Sequence, residues 1–444
     1  MAKQLWETRP LEMWRRAKEL RAQWDHSIED KKAIVGQGQT GEVDWAACFP
    51  HVNVIEDNPV GAKLASMSDE FSRKCRLAME CRGWGREICG YHLNCWGSQF
   101  LGYQMDGSEF PRRDFVVPFP DVCDQHAKRG QQAMDFSPIP RWQGDYPMYI
   151  GPRDEKRDKE LVDHRVYGLL KEINDIERVF GQKFDDERYA AEIRNRSKLQ
   201  GYMQEILMLM TNIPTPISVK DMYSFYTMGF LTKLDPETTM DFWRSLRDEI
   251  KWRADNQIAA VGNERYRWME VHPPAWHYLR YYRYMEQYGA VCLGSPYTHA
   301  IGGSYYEKKE DGTWAPRERL EYPEDMPLRT REDCVRAVIT KDARAPHHFK
   351  IDEYLRPGSL VEFAELYRCD GAILPIWRSG VGCTMFRKEQ GLMLSKAGVN
   401  VLHIEGAQPG DRTDLDEHAF LDRLDVWMEK QGLRKIAQDG GQGQ

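Results

Sequence analysis

Three of the ten cysteines lie in surroundings that suit a metal or redox site better than a protein core. Cys123 and Cys383 each follow a short apolar stretch predicted to be a strand and precede a polar stretch predicted to be a helix. Each would lie at the carboxyl end of a strand, where α/β sheets bind ligands and a helix N-terminus stabilises a thiolate. Cys89, within Arg86–His92, lies at the start or in the middle of another helical stretch. Three thiolates are enough to hold a [4Fe–4S] cluster and leave one iron open.

The alternative for each cysteine is a small apolar core residue, because an isolated buried cysteine packs more often than it binds. Five others are assigned to that class: Cys48, Cys75, Cys292, Cys334 and Cys369. Cys81 and Cys95 form a denser run with Cys89, but their spacings of eight and six residues match no ferredoxin or zinc pattern. We expect these two to be structural or to support a neighbouring ligand.

Polar residues beside the three cysteines are candidates for acid–base and anion-binding roles. His92 and His126 each follow a candidate ligand by three residues, with a hydrogen-bonded structural histidine as the alternative. Arg378 precedes the third cysteine and would neutralise a cluster or bind a phosphate, or else form a structural salt bridge. Gly380 and Gly382 would let backbone N–H groups approach cluster sulfurs.

The elements that must position these residues are predicted to form an α/β fold. Two short apolar stretches, Ala33–Val35 and Phe115–Val117, are predicted strands of a first sheet. Later in the chain, a strand at Gly371–Trp377, a helix at Met385–Ala397 and a strand at Val399–Glu405 predict a βαβ crossover. Because such a crossover joins parallel strands, we expect two parallel-sheet domains of the Rossmann or flavodoxin type.

The remaining stretches are predicted to be helical. An amphipathic helix is expected near the N-terminus, with a buried stripe of Leu11, Trp14, Leu20 and Trp24. Helical periodicity without any strand pattern continues through the middle of the chain. The predicted division is an N-terminal helical arm at 1–32, a first α/β domain at 33–154 with Cys89 and Cys123, a helical segment at 155–265, a second α/β domain at 266–435 with Cys383, and a flexible tail at 436–444.

The amino-acid composition and net charge argue against nucleic acid and membranes as partners. Hydrophobic residues make up 41% and charged residues 30% of the 444 residues, the balance of a soluble multidomain protein, and a net charge of −7 argues against nucleic acid. No apolar run approaches the roughly 18 to 20 residues of a membrane helix, and Met1–Glu7 lacks an apolar signal region. We therefore expect a cytoplasmic protein that does not bind membranes.

Nucleotide-binding motifs are weak or missing in the sequence. No Gly-x-x-x-x-Gly-Lys-[Ser/Thr] phosphate loop occurs, so ATP chemistry would have to come from another chain. The stretch Gly36–Gly41 fits Gly-x-Gly-x-x-Gly after a short strand, but a glycine-rich turn is the alternative. We expect the isolated chain neither to hydrolyse ATP nor to bind NAD.

At the three cysteines the chain resembles the family of 2-hydroxyacyl-CoA dehydratases and class I benzoyl-CoA reductases. Its three-cysteine pattern is similar to Ile88–Tyr91, to Asp121–Asp124, and to the distal Arg378–Cys383. Val399–Gly406 resembles the strand after the family's third ligand, and Pro273–Trp276 resembles the Pro-Pro turn that opens its second α/β domain. The resemblance covers about residues 33 to 430.

Within the family, the many tryptophans and tyrosines and the insertion Gly302–Arg331 look most like the larger cluster subunit of ATP-dependent benzoyl-CoA reductase. The resemblance implies a [4Fe–4S] cluster on Cys89, Cys123 and Cys383, a second cluster-bearing subunit of the same fold, and two ATPase activator subunits with their own cluster. Reduced ferredoxin would supply electrons, Arg378 could contact CoA phosphate, and an aryl-CoA would become a cyclic dienoyl-CoA. The alternatives are a 2-hydroxyacyl-CoA dehydratase subunit and a non-catalytic electron-relay or double-cubane cluster protein.

Such a subunit needs a partner surface. The aromatic stretch Trp276–Tyr288 is the candidate contributor, with a core-packed amphipathic helix as the alternative.

Overall fold

The structure is a computed structural model. It describes residues 5–27, 33–37, 45–56, 67–85, 88–110, 114–117, 140, 155–226, 228, 236–271, 278–295, 306–316, 327–344, 357–377, 386–406 and 416–436.

The first sheet contains three parallel strands near the N-terminus: β1 (Ala33–Gln37), β2 (Val52–Glu56) and β3 (Phe115–Val117). Their order is β2-β1-β3, and a short 3-10 helix, Trp45–Cys48, precedes β2. The strands predicted at Ala33–Val35 and Phe115–Val117 are therefore confirmed.

The second sheet has four parallel strands: β4 (Tyr266–Glu270), β5 (Ala290–Cys292), β8 (Gly371–Trp377) and β9 (Asn400–Gly406). Their order is β5-β4-β8-β9, and β8 pairs with β9 over seven residues. Between β5 and β8 in the chain, the antiparallel strands β6 (Tyr306–Lys308) and β7 (Trp314–Pro316) form a separate hairpin. The predicted βαβ crossover and the α/β class are confirmed.

Helices fill the rest of the described chain. In chain order they are α1 (Met13–Ser27), α2 (Asp69–Glu80), α3 (Gly90–Leu101), α4 (Glu155–Phe180), α5 (Asp186–Leu209), α6 (Val219–Tyr226), α7 (Pro236–Asp255), α8 (Arg280–Glu286), α9 (Arg331–Arg344), α10 (Pro357–Leu366), α11 (Arg387–Lys396) and α12 (Glu417–Lys430). Ser68, Asp185 and Asp416 begin α2, α5 and α12 because each side chain accepts a hydrogen bond from a backbone N–H of the first turn.

Helix α1 confirms the predicted N-terminal helix but corrects its buried face. Leu11 and Leu20 are buried as expected. Trp14 is 44% exposed and meets Phe225 only edge-on, with ring centroids 6.1 Å apart. Its prediction as a buried residue was wrong, because the small Ala17 takes the buried position between the two leucines. The side chain of Trp24 lies outside the described residues.

Apolar side chains form two large cores, one around each parallel sheet. The first core combines β2, β3, α4, the first half of α5 and the buried face of α9. The second combines α1, the second half of α5, the helices α6, α7, α8, α10, α11 and α12, and the strands β4, β5, β8 and β9. Helix α5 belongs to both, through Tyr189 and Ile193 on one side and Leu199 and Met203 on the other.

Candidate metal centre

Cys89 lies at the N-terminus of α3. Its φ of −55° and ψ of 131° are not helical, and its carbonyl accepts hydrogen bonds from the backbone N–H groups of His92 (3.0 Å) and Leu93 (3.1 Å). The residue is therefore the N-cap, and its side chain is buried. Because the positive end of a helix dipole favours negative charge, this position suits a thiolate bound to metal. Of the two positions predicted for Cys89, the structure selects the helix start.

A close pair of helices fixes the position of Cys89. Helix α3 packs against α2, and Met79, Leu93 and Trp96 form a small buried cluster between them beside Ile88. At the crossing, Gly97 lies directly against the backbone of Cys75, where an added Cβ would clash. The absence of a side chain at this position therefore permits the close approach.

His92 is buried one helical turn beyond Cys89. Its ring stacks on that of Trp96, with centroids 5.3 Å apart and planes 18° from parallel. The first turn of α3 therefore places the imidazole and the thiol on neighbouring positions of the same helix end, as their spacing of three residues requires. An acid–base role for His92 remains a prediction.

A buried polar network joins α2 to α3 and was missed at the sequence level. Arg76 donates from Nη1 to the Ser72 hydroxyl at 2.9 Å, and Ser72 donates to Asn94 Oδ1 at 2.8 Å. All three residues are buried. The sequence gives only a weak indication that Arg76 is buried in such a network. Arg76 follows Cys75 directly, in a helix whose apolar face contains Phe71, Cys75 and Met79.

The cysteines assigned to the core behave as buried neutral thiols. Cys48, Cys75, Cys292 and Cys334 are buried, and Cys369 is partly buried. Burial raises the pKa of Cys75 to about 12, with nearby Cys95 adding to the rise. Burial likewise raises the pKa of Cys334 to about 11 and that of Cys369 to about 12.

The two cysteines beside Cys89 in sequence differ from each other. Cys95 is buried in the α2–α3 contact, whereas Cys81 is exposed at the end of α2. Because Cys81 is exposed, its substitution is a suitable control for the substitution of Cys89.

The other two predicted ligands lie outside the described residues, as do His126, Arg378, Gly380 and Gly382. The flanking elements are described: β3 ends at Val117, β8 ends at Trp377 and α11 begins at Arg387. Within the described ranges, no group of three or more His, Cys, Asp or Glu side chains forms a metal site. Of the three predicted ligands, Cys89 is the one that the structure describes, and its soft sulfur and its place at a helix N-terminus suit an iron–sulfur cluster.

Four of the five tyrosines in the aromatic stretch proposed as a partner surface are part of the protein's own core, whereas Tyr284 is only partly buried and donates to Asp425. Tyr278, Tyr281, Tyr282 and Tyr288 are at most 3% exposed. Helix α8 connects two neighbouring strands, β4 and β5, and its tyrosines pack beneath Trp268 and Phe420. The surface role was wrong for these tyrosines, and the core-packed alternative is correct.

Comparison with known proteins places the chain in a family. The family model described as "2-hydroxyglutaryl-CoA dehydratase, D-component" matches residues 70–430. The chain is 23% identical over 271 residues to the (R)-2-hydroxyisocaproyl-CoA dehydratase alpha subunit of Clostridioides difficile, which covers 59% of this chain and 63% of the relative. It is 29% identical over 161 residues to a subunit of the benzoyl-CoA reductase of Thauera aromatica, covering 34% of this chain and 37% of the relative.

The matched region thus spans less than two thirds of either relative. In the described part of the chain, no helix is long and apolar enough to cross a membrane.

The expected resemblance to the family of 2-hydroxyacyl-CoA dehydratases and benzoyl-CoA reductases is confirmed, since the family match extends over well more than half of the sequence. The chain belongs to the 2-hydroxyglutaryl-CoA dehydratase D-component family.

Proposed function

We propose that the protein is the cluster-bearing subunit of an ATP-dependent aryl-CoA reductase that converts benzoyl-CoA, or a substituted benzoyl-CoA, to a cyclic dienoyl-CoA. The observation that carries this proposal is the buried Cys89 thiol at the N-terminus of α3, within the segment that resembles the family's first ligand. The similarity to a benzoyl-CoA reductase subunit supports the choice of reaction.

Three cysteines would hold the cluster: Cys89, Cys123 and Cys383. A [4Fe–4S] cluster would supply single electrons at low potential. The N-terminus of α3 would stabilise the negative charge on the Cys89 thiolate. Gly380 and Gly382 would bring backbone N–H groups towards the sulfurs.

Two further side chains have proposed roles around the substrate. His92, held by its stacking on Trp96, would give up or hold a proton beside Cys89. His126 is a second candidate for the same role by its spacing from Cys123. Arg378 would bind a phosphate of CoA, for which a guanidinium is well suited.

The energy needed to reduce an aromatic ring is the reason for proposing these partners. Reducing an aromatic ring is so unfavourable that an external energy source is needed even near the low end of iron–sulfur potentials, roughly −700 mV. Two ATPase activator subunits with their own cluster would couple ATP hydrolysis to electron delivery from reduced ferredoxin. A second cluster-bearing subunit of the same fold would complete the substrate site, and the assembly would exclude water from it.

A 2-hydroxyacyl-CoA dehydratase subunit is the second candidate. It is favoured by the longer match to a dehydratase alpha subunit and by the description of the family model. In that reaction an electron would be added to the substrate and recovered after water leaves, so that net redox change is absent. An electron-relay or double-cubane protein is a third candidate. A relay site needs no open iron, and a double cubane needs about twice the iron of one cubane.

The test is an anaerobic assay of the co-purified complex with benzoyl-CoA and with 2-hydroxyisocaproyl-CoA, each with ATP and reduced ferredoxin. We expect ATP-dependent formation of a cyclic dienoyl-CoA and no dehydration. Dehydration of the hydroxyacyl thioester without benzoyl-CoA reduction would favour the second candidate. Activity with neither, at about twice the iron of one cubane per chain, would favour a double-cubane protein.

A further inference from the structure

The second sheet ends in an open edge at β9. This strand is last in the order β5-β4-β8-β9, so one side of it pairs with β8 and the other side has no neighbouring strand among the described residues. The backbone N–H of Asn400 donates to the carbonyl of Asp370, so Asn400 and every second residue after it face β8. The backbone N–H and C=O groups of Val401, His403 and Glu405 therefore point away from the sheet.

A side chain of α12 reaches this edge. The Arg423 guanidinium donates to the carbonyl oxygen of His403. That oxygen has two lone pairs and can accept a second hydrogen bond, while the neighbouring outward groups have no partner in the part of the chain that the structure describes. Because an unpaired edge strand is a template for pairing with another strand, native proteins cover such an edge. The seven residues of β9 therefore indicate an interaction surface.

Two helices flank the open edge, one on each face of the sheet. The crossovers β4-α8-β5 and β8-α11-β9 run in opposite directions along the sheet, and right-handed crossovers then place α8 and α11 on opposite faces. Helix α12 packs beside α8, since the hydroxyls of Tyr284 and Tyr288 donate to Asp425. Helices α11 and α12 thus lie on opposite faces of the sheet beside β9.

Each flanking helix exposes an apolar side chain near the edge. On α11, Gly391 lies against the His403 ring, and the next residue, Leu392, is 63% exposed. On α12, Val426 lies one turn after Arg423 and is 68% exposed. An open strand between two exposed apolar side chains has the properties of a protein–protein interface.

The charges along the edge are complementary to those of an identical strand that runs in the opposite direction. Burial, followed by the positive charges of Lys388 and Arg423, lowers the pKa of His403, so both cations lie near its ring. Glu405 is exposed, and its side chain lies on the same face as that of His403. An antiparallel strand of the same sequence can therefore place its glutamate opposite His403, between the two cations.

We infer that β9 pairs antiparallel with β9 of a second copy of this chain, across a twofold axis at Ile404. Because the axis is perpendicular to the sheet, the two sheets become continuous, and α11 lies beside α11 and α12 beside α12 of the other copy. The exposed side chains of Leu392 and Val426 then meet apolar surface. Each Glu405 approaches Lys388 and Arg423 of the other copy. This pairing does not depend on the proposed reaction.

The first test counts the copies of this chain in the particle that the full-length chain forms with its co-purified partners. It compares Val426→Lys with Val179→Lys, a substitution of an equally apolar residue that is 45% exposed on α4, in the core region of the first sheet. We expect two copies in the wild type by native mass spectrometry. Val426→Lys should raise the dissociation constant of self-association at least about tenfold in sedimentation experiments, and Val179→Lys should leave it unchanged.

The second test exchanges the charges across the axis. Glu405→Lys and Lys388→Glu should each weaken the self-association, because each places like charges together. The double variant restores opposite charges and should associate more tightly than either single variant.

The third test addresses the backbone pairing itself. Glu405→Pro removes an outward N–H and no hydrogen bond to β8, and proline is tolerated at such a position of an edge strand. Glu405→Gln keeps the N–H and removes the same charge. We expect Glu405→Pro to associate at least about tenfold more weakly than Glu405→Gln.

Two results would overturn the pairing. The first is a wild-type particle with one copy of this chain at every concentration, including the case in which Val426→Lys releases a different protein from that particle. The second is a self-association that Val426→Lys, the charge variants and Glu405→Pro all leave unchanged, since the contact would then lie elsewhere on the surface.

Discussion

Cys89 combines three properties that a cluster ligand needs: a sulfur donor, burial, and a place at the positive end of a helix. In the sequence, Cys89 is singled out by the resemblance of Ile88–Tyr91 to the segment of the family's first ligand. Its N-cap geometry could not be predicted, because Ile88–Tyr91 contains no Ser, Thr, Asp or Asn to mark where the helix begins.

Replacing Cys89 by serine tests whether Cys89 binds the cluster and leaves helix α3 intact. Serine is a better N-cap than cysteine, so α3 should form at least as well. We expect Cys89→Ser to lose most of the iron and sulfide of the complex, while Cys81→Ser, at an exposed position, keeps wild-type content. Iron and sulfide assays on anaerobically purified protein measure both. Equal iron content in the two variants would exclude Cys89 as a ligand.

Glu270 should make stability depend on pH. Because burial raises its folded-state pKa above the ordinary 4.5, its stabilising contribution is complete below about pH 4.5 and is lost as pH rises through the raised value. Glu270→Gln cannot ionise, so its stability relative to wild type should increase from about pH 5 to about pH 8. Urea unfolding across this range measures the difference. An unchanging difference would contradict a raised pKa for Glu270.

At the scale of elements, the contact between α2 and α3 determines where the Cys89 thiol lies. Gly97→Ala would push a methyl group into the backbone of Cys75, and overpacking of this kind costs about 1–3 kcal/mol. We expect a lower melting temperature together with reduced iron content. In the control Gly262→Ala, the methyl would meet Thr8 and the backbone of Trp6 at 3.2 Å, where a small shift of the N-terminal segment suffices. A Gly97→Ala protein as stable as Gly262→Ala would show that the two helices are not tightly packed.

The elements most accurately predicted were those with continuous apolar runs. β1, β3, β8 and β9 lie where their apolar stretches placed them. The predictions that were wrong concern which side chains are buried against another element. Periodicity placed Trp14 on a helix, and the aromatic run after residue 276 was visible, but neither pattern says which face meets another element.

At the scale of the whole molecule, α9 connects distant parts of the sequence. Within the range predicted to belong to the second domain, it packs in the core of the first sheet, against α4 and α5. Sequence patterns give the buried face of a helix but not the sheet it covers, so this pairing could not be predicted. The division of the chain into domains stays a prediction.

Arg331 holds the start of α9 onto α4 and α5. Its guanidinium donates to Asp186 and Glu177, at 2.8 and 3.1 Å, and lies 4.9 Å from the ring centroid of Phe184. Because these groups are only partly buried, we expect Arg331→Ala to cost about 1–2 kcal/mol of unfolding free energy, measured by urea denaturation. The control Arg244→Ala removes an exposed pair with Asp241 and should change little. Equal effects would mean that α9 is held by apolar contacts alone.

The central claim is that Cys89, Cys123 and Cys383, separated widely in sequence, bind one iron–sulfur cluster. The most direct measurement is an anaerobic crystal structure of the co-purified complex, with anomalous data collected at the iron absorption edge. We predict a single cluster with the Sγ atoms of all three cysteines within bonding distance of its irons and one iron without a cysteine ligand. Iron density that leaves any of the three sulfurs unbound, or no iron density at the N-terminus of α3, would contradict the account.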